Sequence, residues 1–325
     1  MGKENMKHLA NMTGPWKSED PSIHVILVSD EQFEKLANQP DEAVVKIFPQ
    51  DKEPISLREH CRRGAETGAT KMMIAYDYFF GGSERSLYPD TAEFQSTLKK
   101  VHDVASEYGI GLEPSIISPL ELGVGYKAQT GEAGRWMHYR EGLRDPQTGA
   151  YSVLMWQHTR WCNNKGPTPV NLVGVRAFAF REKRIPNTPF FAVAPECLVE
   201  LPTPEIETMP GAGVNIEELP GGIADPNAMF RATRIRVHGT GGPVENKMDR
   251  VMVVLMYETV ELDYFSESAG RFMDQLVDQY KEKGISLVGI YSDEMHIQQD
   301  WSYHNHFDNG QFNLRYVSPG MEKAF

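Results

Sequence analysis

A chain of 325 residues with 40% hydrophobic and 24% charged side chains is long enough to bury a sizeable core, and it shows no bias toward disorder or collagen-like repeats. Its formal net charge of -12 opposes nucleic-acid backbones and anionic membrane surfaces, and no apolar run approaches the roughly 18 residues of a membrane span. Neither nucleic acid nor membrane is therefore expected as a partner. The polar N-terminal stretch lacks the apolar region of a secretory signal, so the cytoplasm is the expected location. Cys61, Cys162 and Cys197 stand far apart without a metal-type spacing and read as free thiols.

In chain order, "IHVILVS" (23–29) reads as a buried strand, "ISLREHCRRGAETGA" (55–69) as a helix closing on glycine, and "KMMIAYDYFF" (71–80) as the next strand. "DTAEFQSTLKKVHDVASEYG" begins a helix at Asp90 or Thr91, spaces Phe94, Leu98, Val101 and Ala105 at helical intervals and stops at Gly109; "IGLEPSIIS" then reads as a strand. Further strands are expected at "YSVLMWQH" (151–158), "RVMVVLMYETVELDY" (250–264) and "ISLVGIYSDE" (285–294), the last two joined by an amphipathic helix. Alternation of this kind predicts a parallel sheet with helical crossovers.

Between residues 167 and 248 the pattern changes to short alternating segments rich in Pro and Gly, which predicts a β-rich insertion. The expected fold is thus an α/β, TIM-type (β/α) barrel: residues 1–166 form its first part, 167–248 the insertion and 249–325 its second part. The visible core strands fall short of the eight a barrel needs. Either the sheet is open or the barrel is incomplete in this chain, and the second is the preferred expectation.

Polar residues recur where these strands stop: Tyr76 and Asp77; Trp156, Gln157 and His158; Tyr257, Glu258, Glu261 and Asp263; Asp293, Glu294 and His296. In a parallel sheet such groups converge on one rim. Two carboxyl groups among aromatic rings suit glycosidic bond cleavage, in which a carboxylic acid protonates the leaving oxygen while a carboxylate attacks or activates water. Trp156 and Trp301 offer flat faces to a sugar; Tyr76, Asp77, His158, Asp293, His296, His304 and His306 offer hydrogen bonds to hydroxyls. The plainer alternatives are that the acidic pair caps a helix and that Glu258 is a solvated strand end. His304-Asn305-His306 with His296 has the composition of a metal site, but a loop-like HxH is a weak signal and no metal is expected. Neither "FFGGS" nor "GTGG" forms a nucleotide cradle, so no cofactor is expected.

The stretches "AYDYFFGGSERSLYPD", "SIISPLELG", "GRWMHYREGLRDPQTGAYSVLMWQHTRWCNNKGP" and "GIYSDEMHIQQDWSYHNHFDNGQFNLRY" together resemble bacterial proteins related to TIM-barrel glycoside hydrolases. The nearest comparison is with barrels whose strand ends in Ser/Thr-Asp-Glu, here Ser292-Asp293-Glu294. The resemblance implies that Glu294 is one of two catalytic carboxyls and that Asp293 binds or orients the sugar. No Asn-Glu pair marks a fourth strand end, so the general acid is chosen by position: Glu258, with Glu121 and Glu132 as replacements. The expected function is a glycoside hydrolase acting on a carbohydrate substrate, with Glu294 as nucleophile or general base. The rival readings are a metal-dependent barrel isomerase or hydrolase and a non-catalytic carbohydrate-binding protein.

Overall fold

The computed structural model describes residues 22–43, 53–76, 86–116, 121–163, 166–215, 231–291 and 315–324. In chain order these form β1 (Ser22–Leu27), α1 (Asp30–Asn38), α2 (Leu57–Glu66), β2 (Lys71–Tyr76), α3 (Ala92–Ser106), β3 (Gly111–Pro114), α4 (Gly123–Thr130), β4 (Arg135–Leu143), β5 (Tyr151–Asn163), β6 (Gly166–Pro169), β7 (Asn171–Phe180), β8 (Lys183–Arg184), β9 (Phe191–Ala192), β10 (Leu198–Glu200), β11 (Glu205–Asn215), β12 (Arg231–Gly239), β13 (Arg250–Glu258), α5 (Glu267–Glu282), β14 (Arg315–Val317) and α6 (Pro319–Ala324). They divide into two compact units. One holds the described residues up to Gly125 with 270–291; the other holds those of 126–163, 167–269 and 315–324.

The first unit is built on a parallel sheet in the order β1-β2-β3. Helices α1, α2 and α3 each begin where a short hydroxyl side chain can accept an otherwise orphaned backbone N–H: Ser29 from Gln32, Ser56 from Glu59 and Thr91 from Phe94. Their apolar stripes bury Phe33 and Leu36 on α1, Leu57 and Cys61 on α2, and Phe94, Leu98 and Val101 on α3. The Phe33 and Phe94 rings meet at 5.2 Å between centroids. Gly109, at φ +71, turns the chain out of α3 and into β3.

A fourth segment, residues 287–291, lies parallel to β3. Leu112 bridges to Leu287 and Ser115 to Tyr291, and the Val288 N–H donates to the Leu112 carbonyl at 2.9 Å. Two glycines permit this approach. A Cβ on Gly111 would sit 2.2 Å from Val288 Cγ1, and one on Gly289 would sit 2.6 Å from Glu113 Oε1. Leu276 and Tyr280 of α5 are buried in this unit, with Tyr280 Oη donating to the Pro89 carbonyl at 2.9 Å.

The second unit is antiparallel. One sheet has the order β10-β7-β13-β4-β14, another β11-β12-β5-β6, and β8-β9 form a small ribbon. Val251, Val253, Leu255 and Tyr257 of β13 alternate onto one face, beside Trp136 and His138 of β4 and Ala177 and Ala179 of β7. Val153 and Met155 of β5, with Ile235 and Val237 of β12, form the opposing face. The faces meet closely: a Cβ on Gly142 would lie 2.8 Å from Val153 Cγ2, and Tyr257 Oη reaches the Trp156 carbonyl at 3.4 Å.

This overturns the barrel. Only the first unit has parallel strands among the described residues, whereas the segments 151–158 and 250–258 belong to antiparallel sheets. The physical reason is visible in β13. It is a central strand paired on both edges, and its second face carries Met252, Val254 and Met256, so it reads as a continuous apolar run that looks like a doubly covered parallel strand. The link from β4 to β5, residues 144–150, is also too short for a helical crossover. Arg144 fixes it from a buried position by donating to the carbonyls of Met248 and Gly242, each at 2.9 Å.

Candidate active site

The parallel sheet determines what its carboxyl edge can gather. Leu27 pairs with Tyr76, Ile74 with Pro114, and Ser115 with Tyr291, so all four segments run to one edge. Tyr76 is the last residue of β2 and stands there; Asp77 follows it in sequence and lies outside the described residues. Asp293, Glu294, His296, Trp301, His304 and His306 also lie outside them, the chain being described to Tyr291 and again from Arg315.

One further feature of this edge comes from the described chain. Asp30, just past β1, accepts from the Ser86 N–H at 2.6 Å, the Ser86 hydroxyl at 2.8 Å and the Leu87 N–H at 3.0 Å, tying down the chain that returns from β2. Glu121, in the connection after β3, is buried at 4% exposure.

The remaining expected site residues sit in the antiparallel unit. Trp156 and His158 are on β5, where they pair with Arg234 and Ala232 of β12. Glu258 ends β13 opposite Arg135 of β4, and its carboxylate accepts from Lys127 Nζ of α4. Lys127 was no part of the sequence expectation, because nothing in the local pattern of either segment links α4 to the end of β13.

Other acids of the same region serve packing. Glu261 is fully buried and accepts from Trp136 Nε1 at 3.2 Å and Tyr264 Oη at 2.7 Å. Burial and the adjacent Glu261 charge push the Tyr264 phenol well above its usual range. Asp263 accepts from Ser318 Oγ at 2.5 Å and the Gly320 N–H at 2.9 Å. Glu132 accepts from Tyr126 Oη at 2.8 Å and Ser268 Oγ at 2.5 Å; hydrogen bonds from Ser266, Ser268 and Tyr126 hold its carboxyl down at about 2. His138, buried between the two sheets, is pushed down to about 4 by burial, with the Arg140 charge adding to the effect.

Among the described residues no group of three His, Cys, Asp or Glu side chains is placed to hold a metal ion. No described helix is long and apolar enough to cross a membrane. Compared with models of known protein families and with curated proteins, the chain matches none.

Proposed function

We propose that the chain is a glycoside hydrolase, acting in the cytoplasm, with Glu294 as one of its two catalytic carboxyls. Glu294 is the nucleophile or general base and Asp293 binds or orients the sugar. The observation that supports this most is the parallel pairing of 287–291 with β3, because Ser292-Asp293-Glu294 follows Tyr291 directly. Tyr76 closes β2 at the same edge and Asp77 succeeds it.

The sequence expects Glu258 as general acid because it ends a strand read as parallel, and that ground does not hold: β13 is antiparallel and the Glu258 carboxylate is engaged by Lys127. We assign the role to Glu121, which follows β3 in the same unit and is buried. In the first step Glu121 donates its proton to the leaving glycosidic oxygen as that C–O bond breaks. Glu294 either bonds to the sugar carbon, for water to release later, or takes a proton from the water that attacks it.

The test is turnover of a panel of aryl glycosides by the full chain. Glu294→Gln is expected to lower kcat/KM by about 1,000-fold or more on the substrate that is cleaved. Glu121→Gln should spare 4-nitrophenyl leaving groups, which depart without protonation, and cost about 100-fold on unactivated disaccharides. Glu258→Gln should change either rate by less than about threefold. No cleavage of any glycoside, or full activity in Glu294→Gln, would defeat the proposal.

A further inference from the structure

The antiparallel unit presents Trp156 on the outer face of the sheet β11-β12-β5-β6. Val153 and Met155 of β5 and Ile235 and Val237 of β12 are buried, so the residues that alternate with them, Leu154 and Trp156 opposite Arg236 and Arg234, turn to the other face. Leu154 is 39% exposed, Arg234 is exposed and Trp156 is partly so. The strand under the indole is held from within, where Tyr257 Oη reaches the Trp156 carbonyl at 3.4 Å.

Three cross-strand rows of described residues run over this face, and two of them carry their own acid. His238, paired with Ser152, faces Glu205; Arg236, paired with Leu154, faces Glu207 and donates to it from Nε at 2.9 Å. The third row is different. Arg234 pairs with Trp156, and beyond it β11 shifts register between Thr208 and Gly213, over Met209, Pro210, Gly211 and Ala212, none of them acidic. Arg234 makes no ion pair or hydrogen bond among the described residues, and the Trp156 indole N–H has no acceptor among them.

An exposed guanidinium beside an indole recognises two properties in one ligand. The planar guanidinium matches a carboxylate, the group this row lacks, whereas the indole packs its face on the C–H groups of a sugar ring and gives its N–H to a hydroxyl. Leu154 extends the apolar strip along β5. An open sheet face suits a chain laid across it, not an enclosed molecule. The net charge of -12 opposes a densely charged polymer such as a nucleic acid or a polyuronate. We propose that this face binds a mostly neutral glycan chain bearing an isolated uronic acid, with a sugar ring on Trp156 and the carboxylate on Arg234. The proposal stands on the antiparallel unit alone and does not depend on Glu294.

Titration calorimetry on the full chain tests it, with glucuronosyl-xylotriose and cellobiouronic acid set against the neutral xylotetraose and cellobiose. At least one acid is expected to bind saturably below about 5 mM and about fivefold more tightly than its neutral counterpart, an advantage that shrinks when salt is raised to about 0.5 M. Trp156→Ala should weaken the acidic and the neutral sugar alike, by about tenfold. Arg234→Gln should weaken the acid alone, to the level of its neutral counterpart, with thermal unfolding close to that of the unsubstituted chain. If Trp156→Ala does not fold, Arg234→Gln decides. No saturable binding of either acid, equal affinity for acid and neutral sugar, equal binding of a glutamate-rich peptide, or unchanged affinity in the variants that fold would overturn the proposal.

Discussion

His138 shows how a single buried side chain couples this fold to pH. Its imidazole, 2% exposed between the sheets, is held down to about 4 from an ordinary 6.5. The unfolded chain therefore binds the extra proton first, over the window from 6.5 down to 4. Its contribution is fully present above 6.5 and is lost as pH falls through that window, with a ceiling of about 3 kcal/mol. Urea unfolding at pH 7.5 and 4.5 should show this loss in the unsubstituted chain and a flatter dependence in His138→Leu. Equal slopes would contradict it. Arg144 is a second sensitive residue. Its guanidinium donates to the Met248 and Gly242 carbonyls, for which no other donor is described, so Arg144→Met should destabilise by about 2–4 kcal/mol in the same unfolding assay. Cys61 behaves oppositely in chemical terms: burial pushes its thiol up to about 12, so Cys61→Ser should leave the thiol titre of the native protein unchanged. Residue roles were the least legible layer of the sequence. Glu258 was visible as an acid at a strand end, but its partner Lys127 comes from a helix far away in the chain, and only the fold brings them together.

At the scale of elements, the alternation of residues 22–114 was legible because each link has its own signal. Ser56 and Thr91 open α2 and α3, Gly109 closes the turn after α3, and the apolar spacing of Phe94, Leu98 and Val101 marks a buried stripe. The short helix α1 lies outside the sequence expectation, although Ser29, the acidic Asp30 and Glu31, and Phe33, Leu36 and Ala37 form the same kind of signal over a shorter span. The antiparallel sheets differ from the sequence expectation for another reason. A central strand paired on both edges and apolar on both faces has the composition of a parallel strand, and local periodicity does not reveal the direction of its neighbours. The docking of 287–291 depends on absent side chains, which gives an element-level prediction. Gly111→Val should destabilise by about 2–4 kcal/mol by urea unfolding, because its side chain would occupy the space of Val288. Gly109→Ala, in open space but at φ +71, should cost only about 1 kcal/mol. Comparable losses in the two variants would mean that the segment does not pack against β3 as described.

For the molecule as a whole, the two units divide what the sequence had merged into one barrel. The acids spread along the chain no longer share a common rim by virtue of one sheet: Glu258 belongs with Lys127 and Arg135 in the antiparallel unit, while Tyr76, Glu121 and the segment ending at Tyr291 belong to the parallel one. What survives is the convergence of β2, β3 and 287–291 at one edge, and the hydrolytic proposal rests on it. β3 separates the ends of β2 and 287–291, so Tyr76 and Tyr291 stand about 10 Å apart, two strand spacings of about 4.8 Å. The most direct measurement is therefore intramolecular cross-linking of the native double variant Asp77→Cys with Glu294→Cys by a bismaleimide of about 10 Å reach. Efficient linkage in the native protein, lost on unfolding in urea, is the predicted result; modification of both thiols without linkage would contradict a shared catalytic edge.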